Sequence, residues 1–175
     1  GRYLMIDPKK LDLSRLTVYP LENRQHLSHI NDIIIDPDDA LLPISDSQLK
    51  QILRLEKKLR RAHDRGASAV LIYGAHLIKN GTAVLVNQLI ESGWITHIAT
   101  NGAGSIHDWE FAHIGASTES VEKGVKNGSF GAWDETAKNI HIAILSGAID
   151  SLGYGQSLGR FINENGCTLP QESEL

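Results

Sequence analysis

Ala69-Val70-Leu71-Ile72-Tyr73 and, about 26 residues further on, Ile95-Thr96-His97-Ile98-Ala99 decide the fold of this chain. Both are short runs rich in strand formers. The first has no polar alternation, which suits a strand covered on both faces, as in parallel sheets. Gly74 ends it. Leu77, Val84, Leu85 and Leu89 then recur at helical spacing as far as Ile90, and Gly93 closes that segment. Strand, helix and strand at this distance predict a βαβ unit with a right-handed crossover.

Upstream, a helix begins near Ser45, which with Gln48 makes a capping box, and it stops at Gly66. Leu49, Ile52, Leu53, Leu59 and Ala62 predict one buried face on it. Residues 1–44 are broken by Pro8, Pro20, Pro37 and Pro43 and read as an arm laid across a surface, such as that of a neighbouring subunit. Downstream, helices are predicted from Ile106 to Ile114, Glu119 to Lys126, Glu135 to Leu145 and Leu158 to Asn163. Two strands do not make a stable doubly wound sheet. The expected fold is therefore α/β, a parallel sheet flanked by helices and incomplete in this chain, with an arm over 1–44 and a partial α/β domain over 45–175. A longer protein or another chain is expected to complete the sheet. The polar end, Thr168-Leu169-Pro170-Gln171-Glu172-Ser173-Glu174-Leu175, lacks a helix stop and accords with that.

Composition narrows the function classes. The chain has 175 residues, 41% hydrophobic and 22% charged, as globular domains do. A net charge of -4 gives no bulk attraction to nucleic acid or to an anionic membrane. Lys57, Lys58, Arg60, Arg61 and Arg65 cluster, but Glu56 and Asp64 dilute them, which predicts a solvated helix face. The single Cys167 forms no internal disulfide and suits a reducing compartment, hence a cytoplasmic protein. Neither a membrane span nor a signal peptide is read in the sequence. The spacing of His107, Asp108 and His113 does not aim two imidazoles at one metal ion, and a Gly-x-Ser-x-Gly elbow is lacking. Trp94, Trp109 and Trp133 have no interleaved basic stripe and read as core or interface.

Two strand-to-helix turns carry the candidate chemistry, because ligands of α/β sheets bind at the carboxyl ends of strands. The first runs Tyr73-Gly74-Ala75-His76-Leu77-Ile78-Lys79-Asn80-Gly81. Gly74 allows close backbone approach, His76 can donate to a phosphate or ribose, and Lys79 can neutralise charge. Equally, these residues can be a tight turn, a cap contact and a solvated lysine. The second runs Thr100-Asn101-Gly102-Ala103-Gly104-Ser105-Ile106-His107-Asp108. Its G-x-G is an incomplete dinucleotide fingerprint, with His107 where a third glycine belongs. The same residues also suit an Asn-Gly turn with Ser105 as N-cap and Asp108 complementing the helix dipole.

The run from His97 to Glu110, with Gly128-Ser129-Phe130-Gly131-Ala132-Trp133-Asp134-Glu135-Thr136 after it, resembles the deoxyhypusine synthase family, closest to its bacterial deoxyhypusine-synthase-like branch. Gly74 to Gly81 and Met5-Ile6-Asp7-Pro8 resemble that branch too. The resemblance covers most of this chain but about the first half of a family member. It implies a Rossmann-like NAD-binding fold, of which 45–175 would be a partial domain, homotetramers with sites between subunits, and NAD-dependent transfer of an aminobutyl group from spermidine. In the family the group is carried as an imine on an enzyme lysine and passed to a protein lysine or to a free diamine.

By this resemblance Gly74, Ala75, His76, Thr100, Asn101, Gly102, Gly104 and Asp108 are the cofactor-binding candidates, and His107 the polyamine-binding one. Where the family's first turn has Thr-Ser-Asn, this chain has Gly74, Ala75 and His76. Where members read Thr-Thr-Ala-Gly-Gly-Val-Glu-Glu-Asp, Thr100, Gly102, Gly104 and Asp108 match after a small gap, and His107 replaces a glutamate. The family's catalytic lysine motif has no counterpart before Leu175, so no nucleophile is assigned. The alternatives are a non-catalytic paralogue supporting an active partner and a sugar-phosphate-binding domain.

Overall fold

The computed structural model describes residues 12–39 and 42–167. Met5-Ile6-Asp7-Pro8 and Thr168 to Leu175 lie outside the described residues. In chain order the elements are β1 (Ser28–His29), α1 (Ile30–Ile33), α2 (Asp46–Asp64), β2 (Val70–Tyr73), α3 (Ala75–Lys79) and α4 (Ala83–Glu91). They continue with β3 (His97–Thr100), α5 (Gly102–Ile114), β4 (Ala116–Ser117), α6 (Val121–Asn127), α7 (Asp134–Ile149) and α8 (Tyr154–Asn163). The class is mixed α/β, with a small sheet of few strands.

β2 and β3 pair in parallel, Val70 against His97 through Tyr73 against Thr100. The helical segment between them is two helices, not one. Gly81 breaks it at φ +86°, and a Cβ there would overlap the Ile33 carbonyl. The chain therefore turns at Asn80–Gly81 so that residue 81 can pass under α1, and Ile35 N–H donates to the Gly81 carbonyl at 3.0 Å. Only glycine suits both demands.

Three expectations are corrected. First, β2 is not covered on both faces: Ile72 is 79% exposed and Val70 54%. Second, α2 starts with the anticipated Ser45–Gln48 capping box but buries none of its residues. Its apolar stripe (Leu49, Ile52, Leu53) faces outward, while Leu59 and Ala62 are only half-buried. A contact near its C-terminal end is His63, stacked on Trp94 with ring centroids 4.5 Å apart. Third, the described part of the arm, from residue 12 to residue 39, is woven into its own chain. Tyr19 bridges to Trp133, β1 pairs antiparallel with β4, and Leu21 is 2% exposed.

The core consequently lies away from the parallel strands. Leu21, Trp109, Trp133, Ile140, Ala143 and Leu158 form one buried cluster between α5, α7 and α8. Each large side chain buried there contributes ~1.5–3 kcal/mol. α7 and α8 approach closely because Gly147 lacks a side chain: a Cβ there would overlap Ser157. Trp109 and Trp133 are thus core residues, and Trp94 is half-buried.

Candidate functional site

Because β2 and β3 run the same way with Tyr73 opposite Thr100, both turns emerge at one end of the strand pair. They lie close together: a Cβ built on Gly74 would be 3.7 Å from Asn101 Nδ2. Asn101, rather than Ser105, caps α5, its side-chain oxygen accepting from Gly104 N–H at 3.1 Å. Ser105 Oγ instead donates to the Gly102 carbonyl at 2.9 Å and bonds Tyr154 at 2.7 Å. The first turn of α5 holds no acidic residue, so Asp108, a turn further along, is not a dipole partner there.

The structure brings Gly74, Thr100, Asn101 and Gly102 together as an exposed edge. Open space surrounds Gly102. Gly104 is different: it is buried beneath the turn against Thr100 and Tyr73 and presents no face to a ligand. Ala75 is half-buried and His76 exposed at the start of α3. Asp108 keeps an exposed surface yet is crowded by protein atoms, and this desolvation pushes its carboxyl above the ordinary value. Tyr73 is raised as well, by burial first and then by the charge of Asp108.

A second face of α5 carries a buried polar network. Ala103, Ile106, His107 and Glu110 recur at i, i+3, i+4 and i+7, so they share that face. Glu110 is 1% exposed. It receives Arg24 Nη1 at 2.7 Å and Nη2 at 2.8 Å in a bidentate pair, Thr136 Oγ1 at 2.8 Å, and the Ser117 hydroxyl. Burial pushes its carboxyl up, but the Arg24 fork, the two hydroxyls and the Arg24 charge outweigh burial and hold it below its usual value.

His107 extends the network. Its Nδ1 lies 2.7 Å from Ser117 Oγ. The Ser117 hydrogen is committed to Glu110, so His107 Nδ1 must carry the donated proton. The neutral ring then keeps a lone pair on Nε2. Burial, followed by the charges of Lys79, Arg24 and His76, lowers the His107 pKa against the opposing pull of Glu110. His107 lines a cavity of about 370 Å³ whose floor is the Arg24–Glu110 pair and whose walls include Ile106, Phe130 and Trp133.

Arg24, Ser117 and Thr136 were not legible as site residues. Glu110 left one trace, a carboxylate between Trp109 and Phe111 in an apolar stretch. Among the described residues no group of three His, Cys, Asp or Glu side chains is placed to hold a metal ion. Nor is any helix among them long and apolar enough to cross a membrane. Comparison with family models, curated proteins and solved structures found no match for this chain.

Proposed function

We propose that this chain is the cofactor-side part of an NAD-dependent aminoalkyl transferase of the deoxyhypusine synthase type, acting on spermidine or a related polyamine in the cytoplasm. The observation that carries the reading is the meeting of the Tyr73–Gly81 and Thr100–Asp108 turns at one end of a parallel strand pair. That is where open α/β sheets bind nucleotides. Their resemblance to the family supplies the chemistry, since fold alone does not.

The edge fits a dinucleotide. Gly74 and Gly102 let a pyrophosphate approach the backbone, and the 13-residue α5 offers its positive end with no carboxylate in its first turn. Thr100 and Asn101 stand exposed to hydrogen-bond the cofactor, and Asp108 would accept from its hydroxyls. When bound, NAD would accept the hydride from the polyamine. The exposed outer side of β2 and the apolar stripe of α2 support assembly into a homo-oligomer, which would complete the sheet.

Calorimetric titration with NAD tests the reading. Binding is expected, weakened in Asp108→Asn by ~1.5–3 kcal/mol through loss of a charge-assisted acceptor. An affinity for NAD identical in wild type and variant, or no binding by the assembled protein, would overturn it.

A further inference from the structure

The cavity behind α5 has a chemistry of its own. Its floor is electrostatically closed, because Arg24 and Glu110 neutralise each other and Ser117 and Thr136 fill the remaining carboxylate positions. Glu119, on the rim, is turned to its own loop: its Oε1 accepts Trp133 Nε1 at 2.8 Å and Gly131 N–H at 3.0 Å. Lys79 is half-buried in the wall and has no carboxylate partner among the described residues. Ile106, Trp133 and Phe130, the last 51% exposed, supply apolar lining. Thr118, on the wall beside Ser117, holds φ 64°, a left-handed backbone that a β-branched residue rarely adopts. Such strain is kept only where the surroundings fix it, and here Ser28 Oγ bonds its hydroxyl at 3.0 Å.

We infer that this cavity binds a small hydroxy carboxylate with an apolar body. The Lys79 ammonium takes the carboxylate, and His107 Nε2 accepts the hydrogen bond of the hydroxyl. Ile106, Phe130 and Trp133 cover the body. The relay from Ser117 to Glu110 makes the acceptor role specific: with the Nδ1 proton engaged, the neutral imidazole presents only a lone pair at its other nitrogen. A lysine with no carboxylate partner among the described residues, lining the same cavity as His107, selects an anion over an amine. The volume, about 370 Å³, is within the range of small-molecule sites. This assignment stands apart from the NAD reading, which concerns the other face of α5.

The test uses mandelate as probe on protein with ¹⁵N-labelled histidine, with phenylacetate and benzylamine as comparisons. Mandelate should move the His107 Nε2 resonance. Phenylacetate, which lacks the hydroxyl, should bind about tenfold more weakly, and benzylamine weaker still. Lys79→Met, with an unchanged circular dichroism spectrum, should bind mandelate about tenfold more weakly. His107→Phe should lose the preference for mandelate over phenylacetate. Mandelate binding no better than benzylamine, equal affinity in wild type and Lys79→Met, or absence of mandelate binding at millimolar concentration would each overturn the assignment. NAD titration on the same samples keeps this failure distinguishable from failure of the transferase reading.

Discussion

Gly104 and Thr100 leave no room between them: a Cβ built on Gly104 would overlap the Thr100 hydroxyl oxygen and lie 3.4 Å from the Tyr73 ring. The second glycine of the G-x-G therefore seats α5 on the end of β3, and a larger residue there acts through packing. Gly104→Ala should destabilise the protein by ~1–3 kcal/mol, the usual cost of overpacking. Thr100→Ala should recover much of that loss, because the new methyl then meets only the Tyr73 ring at 3.4 Å and the residue-100 Cβ at 3.5 Å. Urea unfolding of the two single variants and the double variant measures the coupling. Additive losses would show that the contact is not the cause.

Arg24 and Glu110 should be strongly coupled. Arg24→Met leaves a buried carboxylate without its counter-ion and is expected to cost ~3–5 kcal/mol. The double variant Arg24→Met/Glu110→Leu removes both charges and should recover much of it. The carboxyl of Glu110 lies below its usual value near 4.5 in the folded protein. Its contribution is thus complete above about pH 4.5 and is lost as the pH falls through the folded value. Denaturant midpoints between pH 7 and pH 3 check both outcomes.

The imidazoles add an earlier acid limb. His26 is lowered by burial and by the Arg24 charge, and His107 by burial and then by its cationic neighbours, both from 6.5. Each binds a proton more readily unfolded than folded. Their contribution is complete above pH 6.5 and declines as the pH drops through their folded values. His107→Gln should flatten that limb, and an NMR titration of His107 should give a midpoint below 6.5.

Ile72 separates folding from assembly. At 79% exposure, replacement by aspartate should change the stability of the isolated chain by about 0.5 kcal/mol or less. If the outer side of β2 is an assembly surface, Ile72→Asp should also turn an oligomer into a monomer in light scattering. An oligomer of unchanged mass would exclude this surface.

Among the described residues every lysine but Lys79 is exposed, and Lys79 is assigned to hold an anion rather than to form an imine. Incubation with spermidine and NAD followed by borohydride should therefore leave no reduced polyamine adduct on residues 1–175. Lys79 is the residue to watch in peptide mapping, since it alone adjoins both the turns and the cavity. An adduct on it would assign the nucleophile to this chain.

Local rules were enough for much of the fold. The capping box at Ser45, the two apolar runs and the Gly66 stop are matters of neighbouring residues, and each is legible because propensity and capping act over a few positions. The parallel pairing followed from the spacing of the two runs, and with it the meeting of the two turns. What sequence periodicity could not decide is which apolar face finds a partner. The stripe of α2 and both sides of β2 read as buried, yet the stripe and the Val70–Ile72 side of β2 face outward, because periodicity records only that a face is apolar. The site divides in the same way. Gly74, Thr100, Asn101 and Gly102 were readable as a turn motif at a strand end. The Arg24–Glu110 pair joins residues 86 positions apart, and Ser117 reaches Glu110 only because β4 returns along α5 to pair with β1. A buried charge is tolerated only where its counter-ion is delivered through space, and that delivery is decided by the tertiary fold alone.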